Sequence, residues 1–162
     1  MAARLAELEA IYRERYAAFL RVALAIVHDE QSARDVVHDG FVLAVRNRGR
    51  VRDVRALEPW VWRIVVNEAR KRRGRESRFA AEEERDVASY GPAELNVDVR
   101  ALIARLPERQ RLALFLRYYA DLDYASIAVA LGIKPGTVAA TLSAAHATLR
   151  AELEAEPCSV QM

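Results

Sequence analysis

The stretch Tyr124-Ala-Ser-Ile-Ala-Val-Ala-Leu-Gly-Ile-Lys-Pro-Gly-Thr-Val138 decides the fold. A helix-turn-helix needs a small residue where its two helices cross, and Ala128 supplies one. It needs a residue that leaves the first helix easily, and Gly132 stands there. Apolar side chains at Ile127, Leu131, Ile133, Val138 and Leu142 are spaced to lock the crossing. Asp123 is placed to cap the first helix, and Lys134-Pro135-Gly136 turns into a last helix expected over about 137–153. A generic helical hairpin is the plainer alternative. It asks for none of these residues in particular, so their agreement favours a DNA-binding motif.

Working outward, Pro107 opens a helix with Leu112, Phe115, Leu116 and Tyr119 on its apolar side, and a shorter periodic run covers 97–106. Between 75 and 95 the periodicity lapses, and Glu82-Glu83-Glu84 and Gly91-Pro92 read as a linker. Further back, Leu5, Leu8, Tyr12, Tyr16, Phe19, Ala23 and Ile26 recur three or four apart and predict one long helix. Ser32, with Asp35 three residues on, is expected to open a second helix that buries Val36, Val37, Phe41, Ala44 and Val45. A basic loop over 48–56 follows. Pro59 then fits a first helical position, with Trp60, Val61, Ile64 and Val65 as the buried face and Gly74 as the stop. Nothing alternates with a period of two. The expectation is an all-α chain of two small helical modules, 1–75 and 96–155, joined by an acidic linker at 76–95 and ending in a tail at 156–162.

The chain's 162 residues are 52% hydrophobic and 30% charged, enough to bury a core in one domain or two small ones. Six glycines and five prolines suit a few long helices better than a many-turned barrel. The single cysteine, Cys158, rules out an intramolecular disulfide, and no apolar run approaches a membrane span. No signal-peptide core is expected near Met1, so the expected setting is cytoplasmic, with no membrane insertion.

Net charge is only +2, but residues 46–78 carry 12 basic and 4 acidic side chains, whereas 79–99 carry 1 basic and 6 acidic ones. Eleven of the twelve cations in the basic block are arginines, whose guanidinium fork suits phosphate. A solvated basic face is the bland reading. Against it, Trp60-Val61-Trp62-Arg63-Ile64 and Asn67 interleave aromatic and amide groups with cations, as unstacked bases and their phosphates require. Sharing a face with Ile64, Trp60 is expected in the core, leaving Trp62 and Arg63 freer to meet a ligand. No catalytic set stands out. His28, His38 and His146 lack metal-ligand spacing, and neither a nucleophile elbow nor a phosphate loop is present, so no enzyme activity, metal or cofactor is expected.

Both halves resemble one family. Ser32-Ala-Arg-Asp-Val-Val-His-Asp-Gly-Phe41, with Trp60-Val-Trp-Arg-Ile64 and Asn67, is similar to the second conserved region of sigma-70 factors. Leu106-Pro-Glu-Arg-Gln-Arg111, Leu116-Arg-Tyr118 and the helix-turn-helix resemble the fourth. Two regions and a variable linker at this length look like the extracytoplasmic-function group. The resemblance implies a promoter-specificity subunit of bacterial RNA polymerase, with core polymerase and promoter DNA as partners and an anti-sigma factor as a further candidate. It implies polymerase docking through Asp35, Val36, Asp39 and Phe41. Capture of the opened -10 element would fall to Arg46, Arg48, Arg50, Arg52, Arg55, Trp62, Arg63, Asn67, Arg70 and Lys71. Contact with the -35 duplex would fall to Lys134, Thr137, Ala139, Ala140, Thr141, Ser143 and His146.

Three departures stand out. Gly40 and Val45 occupy positions where the family has an apolar residue and a tryptophan. Between Lys134 and Arg150 there is no Lys or Arg, where the family's recognition helix is basic, so bidentate guanine readout is not available there. The alternative is a sigma-like interaction protein that binds polymerase or a regulator without full promoter reading. An ordinary repressor is disfavoured, because the basic charge lies in the other half.

Overall fold

Helix α1 spans Ala2–Val27 in a computed structural model that describes residues 2–79 and 97–155. It buries Leu8, Phe19, Val22, Ala23 and Ile26 along one stripe. His28, at φ 62°, breaks the helix. Asp29 then caps α2 (Glu30–Arg46), its carboxylate accepting the Ser32 N–H at 2.8 Å. The cap is therefore Asp29 and not the expected Ser32, which is buried. The basic loop forms two single 3-10 turns, Arg48–Arg50 and Val54–Ala56, the second capped by Asp53.

Helix α3 (Leu57–Phe79) starts two residues before Pro59 and runs through the expected stop at Gly74. Glycine inside a helix costs about 1 kcal/mol against alanine. Two arginines just before it fasten the segment to its neighbours: Arg73 donates to the Ile26 carbonyl at 3.1 Å, and Arg72 pairs with Asp35 at 3.5 Å. Tertiary anchoring overrides the local signal.

Helices α1, α2 and α3 pack on one another. They approach closely at Gly40, where a Cβ would lie 2.9 Å from Val65 Cγ2. The unusual glycine is thus the residue that lets α2 and α3 meet.

The second module holds α4 (Val97–Arg105), α5 (Glu108–Tyr118), α6 (Tyr124–Leu131) and α7 (Pro135–Ala155). Asp123 caps α6 through the Ser126 N–H at 2.7 Å, as expected. Gly132 sits at φ 68°, and the Ile133 N–H returns to the Ala128 carbonyl at 2.9 Å, the six-to-one closure of a Schellman turn. Ile127, Ala128, Val138 and Leu142 are buried at the crossing, so the helix-turn-helix forms as its sequence demands.

The modules are not apart: α6 lies against α3 and α5 against α1, and the buried side chains form one continuous cluster. All described elements are helices. Residues 80–95 of the expected linker, and the tail with Cys158, lie outside the described residues.

Candidate nucleic-acid interface

On α3 the exposed residues Arg63, Asn67, Arg70 and Lys71 fall at intervals of four, three and one, which places them on a single face. The buried stripe opposite is Leu57, Val61, Trp62, Val65, Val66 and Ala69. Trp62 is therefore misread by the sequence: it is 0% exposed and stacks on Phe19 with centroids 3.9 Å apart. It is a core residue, and Trp60 is the half-buried one. The stripe begins at Leu57, upstream of Pro59, and that earlier start rotates the tryptophans' roles.

The loop leads into this face. Arg46, Arg50, Arg52 and Arg55 are exposed, with Arg55 lying beside Asp53 at 3.5 Å. Arg48 is half-buried and donates to the Val45 carbonyl at 2.6 Å, so it braces the loop more than it reaches outward. The Arg52 carbonyl accepts a hydrogen bond from Arg4, which ties the loop to the start of α1.

On α7, Ala139, Ala140, Ser143 and His146 are exposed, Lys134 stands just before the helix and Thr137 is half-buried. His146 shares a 3.0 Å hydrogen bond with Tyr118 of α5. Thr141 is a second correction: it is 9% exposed and its hydroxyl donates to the Thr137 carbonyl at 2.6 Å, so it is turned inward onto its own helix and not toward a groove.

The four expected polymerase-docking residues divide. Asp39 is exposed, while Asp35 is half-buried, accepting from Gln31 at 3.0 Å and pairing with Arg72. Val36 and Phe41 are core residues, at 2% and 7% exposure. Phe41 meets Tyr12 and Phe19 edge-on and forms part of the floor of a groove of about 570 Å³ with Leu5, Tyr12, Val42 and Val45. The small Val45 leaves that groove open.

Periodicity does not announce the residues at the seam between the modules. Arg15 of α1 pairs with Glu58 at 2.8 Å and donates to the Ala120 carbonyl of the second module. Arg70 pairs with Glu108 of α5 at 2.7 Å. The Arg63 guanidinium lies over Gly132, 3.6 Å from where a Cβ would stand. Arg111 donates to the Ala104 and Leu106 carbonyls; burial, then the nearby Arg73 charge, draws its guanidinium below its ordinary pKa, with Glu108 opposing. Only an exposed cation on one module and an acid on the other hint at such pairs, and a linear pattern does not say which will meet.

A helix-turn-helix in one module and exposed arginines on a loop and a helix face of the other are features of a DNA-binding transcription factor. Residues 11–79 match the family model for Sigma-70 region 2, and residues 96–149 match that for Sigma-70 region 4. The chain is 33% identical over 138 residues to RNA polymerase sigma-H factor of Pseudomonas aeruginosa, covering 74% of this chain and 72% of that protein. It is 30% identical to RNA polymerase sigma-E factor of Streptomyces avermitilis (91% and 86% covered) and 28% identical to the ECF RNA polymerase sigma factor SigL of Mycobacterium tuberculosis (94% and 92%).

The fold is similar to that of CnrH in complex with the cytosolic domain of CnrY, with a TM-score of 0.70 at 21% identity over 93% of this chain and 89% of that one. It also resembles the sigma factor RpoE in complex with the anti-sigma factor NepR from Bartonella quintana, with a TM-score of 0.67 at 22% identity over 92% and 99%. The chain belongs to the sigma-70 family, in its extracytoplasmic-function group. It is a promoter-specificity subunit that binds core RNA polymerase and promoter DNA in transcription initiation, and the interaction-only alternative is not favoured. Among the described residues no single helix is long and apolar enough to cross a membrane.

Proposed function

We propose that the two modules act as separate promoter-contacting units joined through the segment that follows α3, and that the first does most of the reading. The observation that carries this is the exposure of the loop arginines together with Arg63, Asn67, Arg70 and Lys71 along one side of α3, the helix that follows the loop. Arg46, Arg50, Arg52 and Arg55 hold phosphates of the opened -10 segment, and the α3 face holds the strand beyond them. Trp62 supports this surface from beneath, and Arg48 shapes the loop.

The second unit meets the -35 duplex through the α7 N-terminus, Lys134, the Thr137 and Ser143 hydroxyls, the Ala139 and Ala140 methyls, and His146. Without a Lys or Arg along that face it adds modest affinity and is kept in place by the tether and by polymerase.

Docking on polymerase uses Asp39 and the outer edge of Asp35, with Phe41 and Val36 holding that part of α2 in position. Strand opening here is binding energy spent on unstacked bases, with no covalent step, so the protein is no enzyme and works where polymerase works, in the cytoplasm. The two structural relatives solved with CnrY and with the anti-sigma factor NepR support an anti-sigma partner for this chain as well.

Run-off transcription with core polymerase tests the reading. Added protein should produce a discrete start, and Asp39→Lys should abolish both transcription and co-purification with core while helical content stays intact. Full co-purification of Asp39→Lys would remove Asp39 from the docking face.

A further inference from the structure

An apolar groove runs between the N-terminal part of α1 and the C-terminal part of α2. Leu5, Leu8 and Tyr12 line it from α1, and Phe41, Val42 and Val45 from α2. On both helices the lining residues recur three or four apart, so the groove follows the helices for about 10 Å. We infer that it is a binding site for a small organic anion with an aromatic body. The body rests on Leu8 and Phe41, and the anionic group meets Arg46. Binding here is independent of promoter contact and is measured without DNA.

The shape is that of a ligand site. Leu8 and Phe41, at 1% and 7% exposure, form a closed floor, while Leu5 and Tyr12 stand exposed on the α1 side. Val45 is half-buried and small, and the space beside it is what a larger ring at that position would fill. The groove's volume of about 570 Å³ falls within the range of about 300–1,000 Å³ that small molecules occupy. Tyr12 and Phe41 meet edge-on, with centroids 4.9 Å apart and planes at 85°. An aromatic guest laid against this pair meets both a ring face and a ring edge, the two arrangements that aromatic groups favour. Covering Leu5 and Tyr12 removes apolar surface from water, which drives the association.

The charge at the mouth selects an anion. Glu9, His38 and Arg46 are the exposed polar residues there. The Glu9 carboxylate is held by Arg13 at 2.7 Å, so its charge is balanced within α1. Arg46 has no ion pair among the described residues. Carbonyls at the end of α2 are taken by other donors: that of Leu43 accepts from Asn47 at 2.9 Å, and that of Val45 from Arg48 at 2.6 Å. An exposed guanidinium beside an apolar floor suits a carboxylate or sulfonate, which its planar fork binds through two hydrogen bonds.

The test titrates anilinonaphthalene sulfonate, an aromatic anion that fluoresces when shielded from water, into the full chain. The uncharged phenylnaphthylamine is titrated in parallel. The parent chain should bind the sulfonate saturably and with unit stoichiometry at neutral pH. Val45→Trp should abolish binding of both probes, with a melting curve to verify the fold. Leu5→Gln, at an exposed position that leaves the core untouched, should weaken both about tenfold. Arg46→Gln should weaken the sulfonate about tenfold and leave the neutral probe unchanged, because only the charge-assisted contact is lost.

Sulfonate binding unchanged in Val45→Trp and Leu5→Gln places the probe elsewhere and overturns the site. Equal weakening of both probes by Arg46→Gln overturns the preference for an anion. A dimer of the parent chain that Val45→Trp dissociates assigns the groove to a second copy and overturns the small ligand.

Discussion

Gly40 is the residue on which the first module's packing turns. Its missing side chain brings the α2 backbone against Val65, a β-branched residue with few rotamers to yield. Alanine gains about 1 kcal/mol of helix propensity at that position. The crowding costs about 1–3 kcal/mol and outweighs the gain. Gly40→Ala should therefore lower the melting temperature by a few degrees, and an unchanged or raised value would show that Val65 moves aside freely. Asp123 makes the complementary case at the second module. Hydrogen bonds from the Ser126 side chain and backbone hold its carboxyl below the ordinary carboxylate pKa. A depressed carboxylate stabilises the fold above its unfolded pKa, near 4, and that contribution is lost as pH falls through the folded value. Asp123→Ala should cost about 1 kcal/mol at neutral pH. Below the folded pKa the gap between variant and parent should close, and thermal melts across an acid series would show it. A gap constant with pH would mean that the carboxylate does not cap.

At the scale of the element, the loop and α3 form one basic surface made from two kinds of structure. The loop is two short turns whose arginines project outward, and α3 adds cations on one helical face. Every arginine that neutralises a phosphate displaces a counterion, so deleting one should reduce the salt dependence of promoter binding by about one unit of slope. Arg50→Ala with Arg52→Ala should therefore flatten the slope by about two units in holoenzyme binding, with open-complex formation reduced. An unchanged slope would make the loop a merely solvating surface. The recognition helix is the opposite case. Its exposed Ala139 and Ala140 present methyls, while Ala145 is fully buried and belongs to the packing. The small residues thus divide between a core-facing position and an open face.

At the scale of the molecule, the proposed reading gives the first module most of the promoter contact and the second a smaller share. Scrambling the -35 sequence of a promoter this protein activates should cost less transcription than scrambling the -10. Equal losses would overturn the inequality. Ala139→Lys should recover activity on the scrambled -35, because an added cation supplies affinity independent of sequence.

Fold class and the helix-turn-helix are legible in the sequence because both rest on short-range chemistry. The apolar spacing of α1 and α2, the Asp123 cap, the Gly132 turn and the Lys134-Pro135 re-entry act within a few residues of one another. The asymmetry of charge is equally local, which is why the loop arginines read as a surface from the sequence alone. Trp62, the Ser32 cap and the Gly74 stop are misplaced by sequence reasoning, because each depends on a partner distant in the chain or on the exact start of a helix, and Thr141 because its hydroxyl turns back onto its own helix. Trp62 is settled by Phe19, Gly74 by the anchors at Ile26 and Asp35, and Gly40 by Val65. Arg15 with Ala120 and Arg70 with Glu108 lie furthest from any linear signal. A salt bridge across 38 residues of chain leaves no period behind it, and only folding brings its two charges together.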